Sequence, residues 1–224
     1  MRTLRRDALF HIVGFSVPIV AVAGFAPGST ALTLASWTAL ACAVFWGLRW
    51  HGHARFGPAN ALTLARAGSV AVLVGLLAAD PVPLEAAAAI AFLALVADGI
   101  DGRIARSTRL ASPFGARFDM EVDALLMLVL AVLAFVGGKA GPWVLALGMM
   151  RYGWIAAGQV WPAFSAPLPP SDRRRFCCGA AILLVIVGLA LPAPFAGAAC
   201  AGALCMLIFS FAMDLGFIIT ADRS

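Results

Sequence analysis

An all-α bundle of membrane-spanning helices is the fold class this sequence predicts, and three observations predict it. Of 224 residues, 62% are hydrophobic and 12% charged, with a mean hydropathy of +0.96; that leaves too little polar surface to cover a water-soluble globule. The apolar residues fall in eight long runs, each near the ~20 residues that a helical span needs. Those runs are continuous, whereas barrel strands would alternate in segments of about ten residues, so helices, which satisfy their own backbone, are the expected spanning form.

The runs lie near 9–26, 31–48, 60–79, 84–105, 115–136, 142–161, 176–193 and 195–219. Glycine and proline punctuate them at Ala26-Pro27-Gly28, Asp80-Pro81, Gly141-Pro142 and Pro192-Ala193-Pro194, and the short connections leave no room for a soluble domain. The first run follows Arg2, Arg5 and Arg6 and ends in Ala21-Val22-Ala23. This is similar to a secretory signal with its cleavage site, but the run is long for such a signal, so a retained helix is expected. With the N-terminus in the cytoplasm, Arg49, Arg55, Arg103, Arg106, Arg109, Arg117, Arg173 to Arg175 and Arg223 all fall on the cytoplasmic side. The opposite turns carry only Lys139 with the acids Asp80 and Glu85, as the positive-inside bias requires. That bias accounts for the net charge of +5. Arginine does not line one face, so nucleic acid is not an expected partner.

Several residue types need no chemical role. Cys42, Cys177, Cys178, Cys200 and Cys205 have no metal-binding spacing and read as small apolar packers. His51 and His53 flank Gly52 in a basic loop with too few further ligands for a metal, so a solvated interfacial loop is expected. Trp37, Trp46, Trp50, Trp143, Trp154 and Trp161 are expected to form an interfacial belt. Asp214 is expected to pair with Arg223 or reach the interface, and Arg173-Arg174-Arg175 to attract anionic lipid or guide a substrate.

Five of the eleven acidic residues lie between Asp98 and Asp123, at the junction of two apolar runs. Ionisable groups at that depth usually mark a functional site. Asp98, Asp101, Gly102 and Ala105 recur at i, i+3, i+4 and i+7, one helix face. Ser112-Pro113 reads as an N-cap and first helical residue, after which Gly115, Asp119 and Asp123 share a face at spacing four; Glu121 points off it. Two such faces pressed together gather four carboxylates that cannot all stay ionised uncompensated. An oxygen-only donor set suits Mg²⁺ or Mn²⁺. The small residues admit a ligand or a neighbouring backbone, and Arg106 suits a phosphate. Together these features suggest metal-assisted chemistry on a phosphate ester, with one carboxylate taking a proton from an attacking hydroxyl; Asp123, deepest in its helix, is the candidate. The residues alone also admit a transporter that uses the acids as a cation site, or a bundle in which they pair with Arg66, Arg106, Arg117 or Arg151.

The pattern Asp98, Asp101, Gly102, Ala105, Arg106, Gly115, Asp119, Asp123 resembles the signature of the CDP-alcohol phosphatidyltransferase family, with all eight fixed positions met. Pro58-Ala59-Asn60-Ala61-Leu62-Thr63-Leu64-Ala65-Arg66 is similar to the start of that family's first core helix. The resemblance implies a six-helix core over 56–224, preceded by two additional N-terminal helices over 1–55. It implies transfer of a phosphatidyl group from CDP-diacylglycerol to a small alcohol with release of CMP, at a site open to the cytoplasm of a bacterial-type inner membrane. It further implies two divalent cations, Mg²⁺ or Mn²⁺, held by Asp98, Asp101, Asp119 and Asp123, with Asp123 also the proton acceptor. Asn60, Thr63, Gly102, Ala105, Arg106, Ser112 and Gly115 would bind the donor, although Asn60 and Thr63 also suit a helix cap. Arg151 and Arg66 are the candidates for binding the acceptor; Arg151 also suits pairing with Asp119 or Asp123. Glycerol 3-phosphate is the first acceptor expected, with choline, serine, inositol phosphate and phosphatidylglycerol open. Membrane lipids are the surrounding partners, and a homodimer rests on the resemblance alone.

Overall fold

The computed structural model describes residues 2–25, 28–53, 55–108, 112–165, 168–169 and 171–221, without side-chain detail at 2, 100–108, 162, 165 and 221. These residues form eight α-helices and no strand: α1 (Arg2–Phe25), α2 (Thr30–Gly47), α3 (Pro58–Leu76), α4 (Leu84–Thr108), α5 (Pro113–Val136), α6 (Ala146–Val160), α7 (Asp172–Ala190) and α8 (Ala193–Ala221). Short 3₁₀ turns occupy Leu48–Trp50, Pro142–Leu145 and Pro162–Ser165. The helices follow the eight apolar runs.

Among the described residues, four segments are long and apolar enough by themselves to cross a membrane: Thr3–Phe25, Thr30–Trp50, Pro58–Leu76 and Ala193–Thr220. The remaining helices include α4 and α5, which carry the acidic motif, α7, which opens on Asp172 and Arg173 to Arg175, and α6, which has only 15 residues. A helix that brings charge to a site is less apolar than one that only anchors the chain, and the motif itself explains why α4 and α5 differ from their neighbours.

The chain divides into two compact units, Met1–Leu126 and Met127–Ser224. In the first, α3 packs against α1, α2 and α4. Its span is 72% buried, against 17% for α1 and 28% for α2, so α3 is the central helix of this unit and the N-terminal pair lies outside it. Leu4, Ala8 and Ile19 of α1, Trp37 and Val44 of α2, and Leu64, Ala71 and Val72 of α3 share one apolar core. Ser29 caps α2 by accepting from Leu32 N–H at 3.1 Å, and its own N–H donates to Gly75 O of α3 at 3.1 Å. Trp37 is 4% exposed and donates from Nε1 to Ser16 Oγ at 2.8 Å. It is therefore a core residue that ties α1 to α2; its place in mid-helix corrects its assignment to the interfacial belt. Trp46, Trp50, Trp143 and Trp161 are exposed as a belt requires.

Gly57, at φ 85°, lets the chain turn into α3, where Pro58 occupies the first helical position. In the second unit α7 and α8 form a hairpin, with Gly188 admitting Ala196 O and Cys200 Sγ each at 3.3 Å from where a Cβ would stand. Lys139 Nζ donates to Leu191 O at 2.5 Å, satisfying a carbonyl at the end of α7. Asp214, only 8% exposed, accepts from Arg173 at 2.6 Å and from Arg174 at 3.3 Å. Arg173 also donates to Ser210 O at 2.7 Å. Two arginines at the start of α7 thus partner Asp214, which the sequence reading did not foresee; Arg223, the partner it named, lies outside the described residues. None of the five cysteines forms a disulfide.

Candidate active site

Three helices of the first unit build the site. Asp98 stands on α4, Asp119 and Asp123 stand one turn apart on α5, and Arg66 projects from α3. Asp119 and Asp123 reach one place because their spacing of four residues returns them to one helix face. The start of α5 is fixed locally, as Ser112-Pro113 predicts: Ser112 Oγ accepts from Gly115 N–H at 3.0 Å, and Pro113 opens the helix.

One carboxylate oxygen from each of Asp98, Asp119 and Asp123 lies within 4.8 Å of the other two. Arg66 meets all three. Its Nη1 is 2.7 Å from Asp98 Oδ1 and 2.6 Å from Asp119 Oδ1, and its Nη2 donates to Asp123 Oδ1. The Arg66 side chain is 1% exposed, while those of Asp98, Asp119 and Asp123 are 33%, 39% and 23% exposed. The cation is therefore sealed in protein, and the anions keep one side uncovered by it. A buried guanidinium is tolerated where its charge is paired. Here it offsets part of the repulsion among three carboxylates that α4 and α5 force together. The open side of that all-oxygen donor set could hold a divalent metal ion.

Around this centre, Asn60 Nδ2 donates to Phe56 O and Thr63 Oγ1 donates to Ala59 O at 3.1 Å. Gly57 takes the N-cap position of α3, so neither Asn60 nor Thr63 caps the helix; both lie within it, on the turns leading to Arg66. A Cβ on Gly115 would stand 2.7 Å from Asn60 Oδ1 and 3.3 Å from Ser112 Oγ. Glycine is the residue that permits this approach between α5 and α3. The side chains of Asp101, Gly102, Ala105 and Arg106 lie outside the described residues, although the backbone of α4 is helical through all four. Arg117 is exposed, and Arg151 belongs to α6 of the second unit.

Sequence spacing brought Asp98, Asp119 and Asp123 together correctly as far as α4 and α5 are concerned, but it left the counter-cation open among four arginines. The structure brings Arg66 to them. Besides ending the stretch that resembles the family's first core helix, Arg66 follows Asn60 and Thr63 at intervals of three, which keeps them near one side of α3. His51 was expected in a solvated interfacial loop. It is 8% exposed instead of solvated, with Nδ1 3.1 Å from Ser112 Oγ and Nε2 2.9 Å from Arg55 O. That corrects the reading of its loop: Phe114 and His53 pack edge-on against the ring, at centroid distances of 5.4 and 5.5 Å.

A helical, multi-pass membrane protein with converging aspartates on two successive helices is the class that fold and site define. The family model described as CDP-alcohol phosphatidyltransferase matches residues 56–218. The chain belongs to the CDP-alcohol phosphatidyltransferase family, and it is a transferase of substituted phosphate groups in phospholipid biosynthesis. No curated protein and no solved structure matches it.

Proposed function

We propose that the chain transfers a phosphatidyl group from CDP-diacylglycerol to glycerol 3-phosphate, releasing CMP. The observation that carries this reading is the convergence of Asp98, Asp119 and Asp123 beside a sealed Arg66. Asp98, Asp101, Asp119 and Asp123 would hold two divalent cations, Mg²⁺ or Mn²⁺. Bound there, the cations would polarise the phosphoryl oxygens and offset charge on the departing CMP.

The remaining steps fall to the side chains. Asp123, the least exposed of the three acids, takes the proton of the acceptor hydroxyl on its carboxylate. The acceptor oxygen then bonds to the β-phosphorus, the one bearing diacylglycerol. The bond from that phosphorus to the bridging oxygen breaks, and the oxygen leaves with CMP. Asn60, Thr63, Gly102, Ala105, Arg106, Ser112 and Gly115 bind the donor, the glycines and alanine by admitting it closely and Arg106 by charge. Arg151 is the residue proposed to attract the acceptor's phosphate; Arg66, also a candidate from the sequence, is sealed among the three carboxylates and offsets their charge instead.

In this reading 56–224 is the catalytic core and 1–55 an added pair of helices. The site faces the cytoplasm of a bacterial-type inner membrane, on the distribution of arginine among the loops. The test is product analysis with purified protein, CDP-diacylglycerol, Mg²⁺ or Mn²⁺, and each acceptor in turn. Phosphatidylglycerophosphate formed only with glycerol 3-phosphate is the expected result. A product with choline, serine or inositol phosphate instead would replace the acceptor and leave the reaction standing.

A further inference from the structure

The segment that precedes the family match reaches the start of two of the three helices that build the site, α3 and α5. From α1, Asp7 Oδ2 accepts from Phe56 N–H at 2.9 Å, just before α3. From the α2–α3 connection, His51 meets Ser112, the N-cap of α5. The two elements are tightly apposed there, since a Cβ on Gly47 would fall 2.6 Å from Phe114 Cε2.

The partner at Nε2 fixes one end of the His51 ring, and the neutral ring then sets the other. Arg55 O is a carbonyl and can only accept, so His51 Nε2 carries the hydrogen. In the neutral ring Nδ1 is then an acceptor, and the hydrogen that it takes is that of the Ser112 hydroxyl. Ser112 Oγ in turn accepts from Gly115 N–H. The result is a directed chain, from Gly115 N–H to Ser112 Oγ–H to His51 Nδ1, that fixes the rotamer of a serine next to the glycine that abuts Asn60. We propose that His51 is a positioning residue for donor binding: it holds Ser112 and the first turn of α5 in place, and through it the N-terminal helices contribute to a site that lies outside them.

The inference rests on the donor-binding role proposed above for Ser112, so its test has one readout that does not need turnover. Full-length protein carrying His51→Ala, His51→Gln, His51→Asn, Ser112→Ala or His51→Ala with Ser112→Ala is compared with the unaltered chain. Gln sets its amide near the Nε2 position and keeps the Arg55 bond, while Asn sets its oxygen near Nδ1 and keeps the Ser112 bond. One lost hydrogen bond corresponds to a factor of about three to ten. Hydrogen exchange at the Gly115 amide should therefore accelerate by about that factor in His51→Ala and His51→Gln and stay within about twofold in His51→Asn. In CMP-release assays KM for CDP-diacylglycerol should rise by the same factor, with KM for the acceptor unchanged, and the double variant should be no worse than Ser112→Ala. Exchange at Gly115 that ignores His51→Gln, or KM effects that multiply in the double variant, would overturn the proposal. An unaltered chain that releases no CMP would sink the proposed reaction, and the Gly115 exchange would still decide the role of His51.

Discussion

Arg66→Met removes the charge at the centre of the carboxylate cluster while keeping most of the side-chain volume. Arg66 is 1% exposed and contacts Asp98, Asp119 and Asp123, the first two at 2.7 and 2.6 Å. Breaking a fully buried ion pair costs about 3–5 kcal/mol. The three carboxylates retain 23–39% of their exposure, which lets water take up part of that cost, so the expected loss is about 2–3 kcal/mol. For a chain of this length that corresponds to a fall of roughly 5–10 °C in unfolding midpoint. The variant also leaves the cluster one unit more negative. A unit charge about 5 Å away at an effective dielectric of about 20 is worth about 3 kcal/mol, so a divalent cation should bind at least about tenfold more tightly to the variant. Thermal unfolding in detergent, titrated with Mg²⁺ after chelation, reads both effects. The variant should melt lower without the cation and gain more from it. Equal midpoints in the absence of cation, together with equal shifts on titration, would refute the view that Arg66 offsets the repulsion at this site.

Two other substitutions probe separate parts of the account. Gly115→Ala drives a methyl group to 2.7 Å from Asn60 Oδ1; kinetics should show KM for CDP-diacylglycerol raised by about tenfold, from loss of roughly one charge-neutral contact and its neighbour's displacement. Asp214→Asn leaves Arg173 and Arg174 without the buried carboxylate that both now meet. Chemical denaturation should register a loss of about 1–3 kcal/mol.

Helix placement was legible because long apolar runs end where glycine and proline end them, and Ser112-Pro113 marks the start of α5 by the chemistry of its N-cap. The pairing of Asp119 with Asp123 was legible because it is a property of one helix. Arg66 was not, because which face α3 turns towards α4 and α5 depends on packing among three helices, and local spacing does not specify that. His51 escaped for a related reason. Its loop is short, polar and basic, which reads as solvated, yet Phe114 and Ser112 cover it from a helix that begins sixty residues later. Trp37 shows the converse: an aromatic side chain near a predicted span is a belt residue only if nothing packs on it, and here Ser16 of α1 accepts from its indole.

The central claim is that the aspartates perform phosphatidyl transfer, and CMP release by the purified chain tests it most directly. The assay supplies CDP-diacylglycerol, glycerol 3-phosphate and Mg²⁺ in detergent, with Asp123→Asn as the matched variant. The account predicts CMP release that requires both the acceptor and the cation, and a loss of at least about a hundredfold in Asp123→Asn, the contribution expected of a general base. Release that persists at the unaltered rate in Asp123→Asn would contradict it.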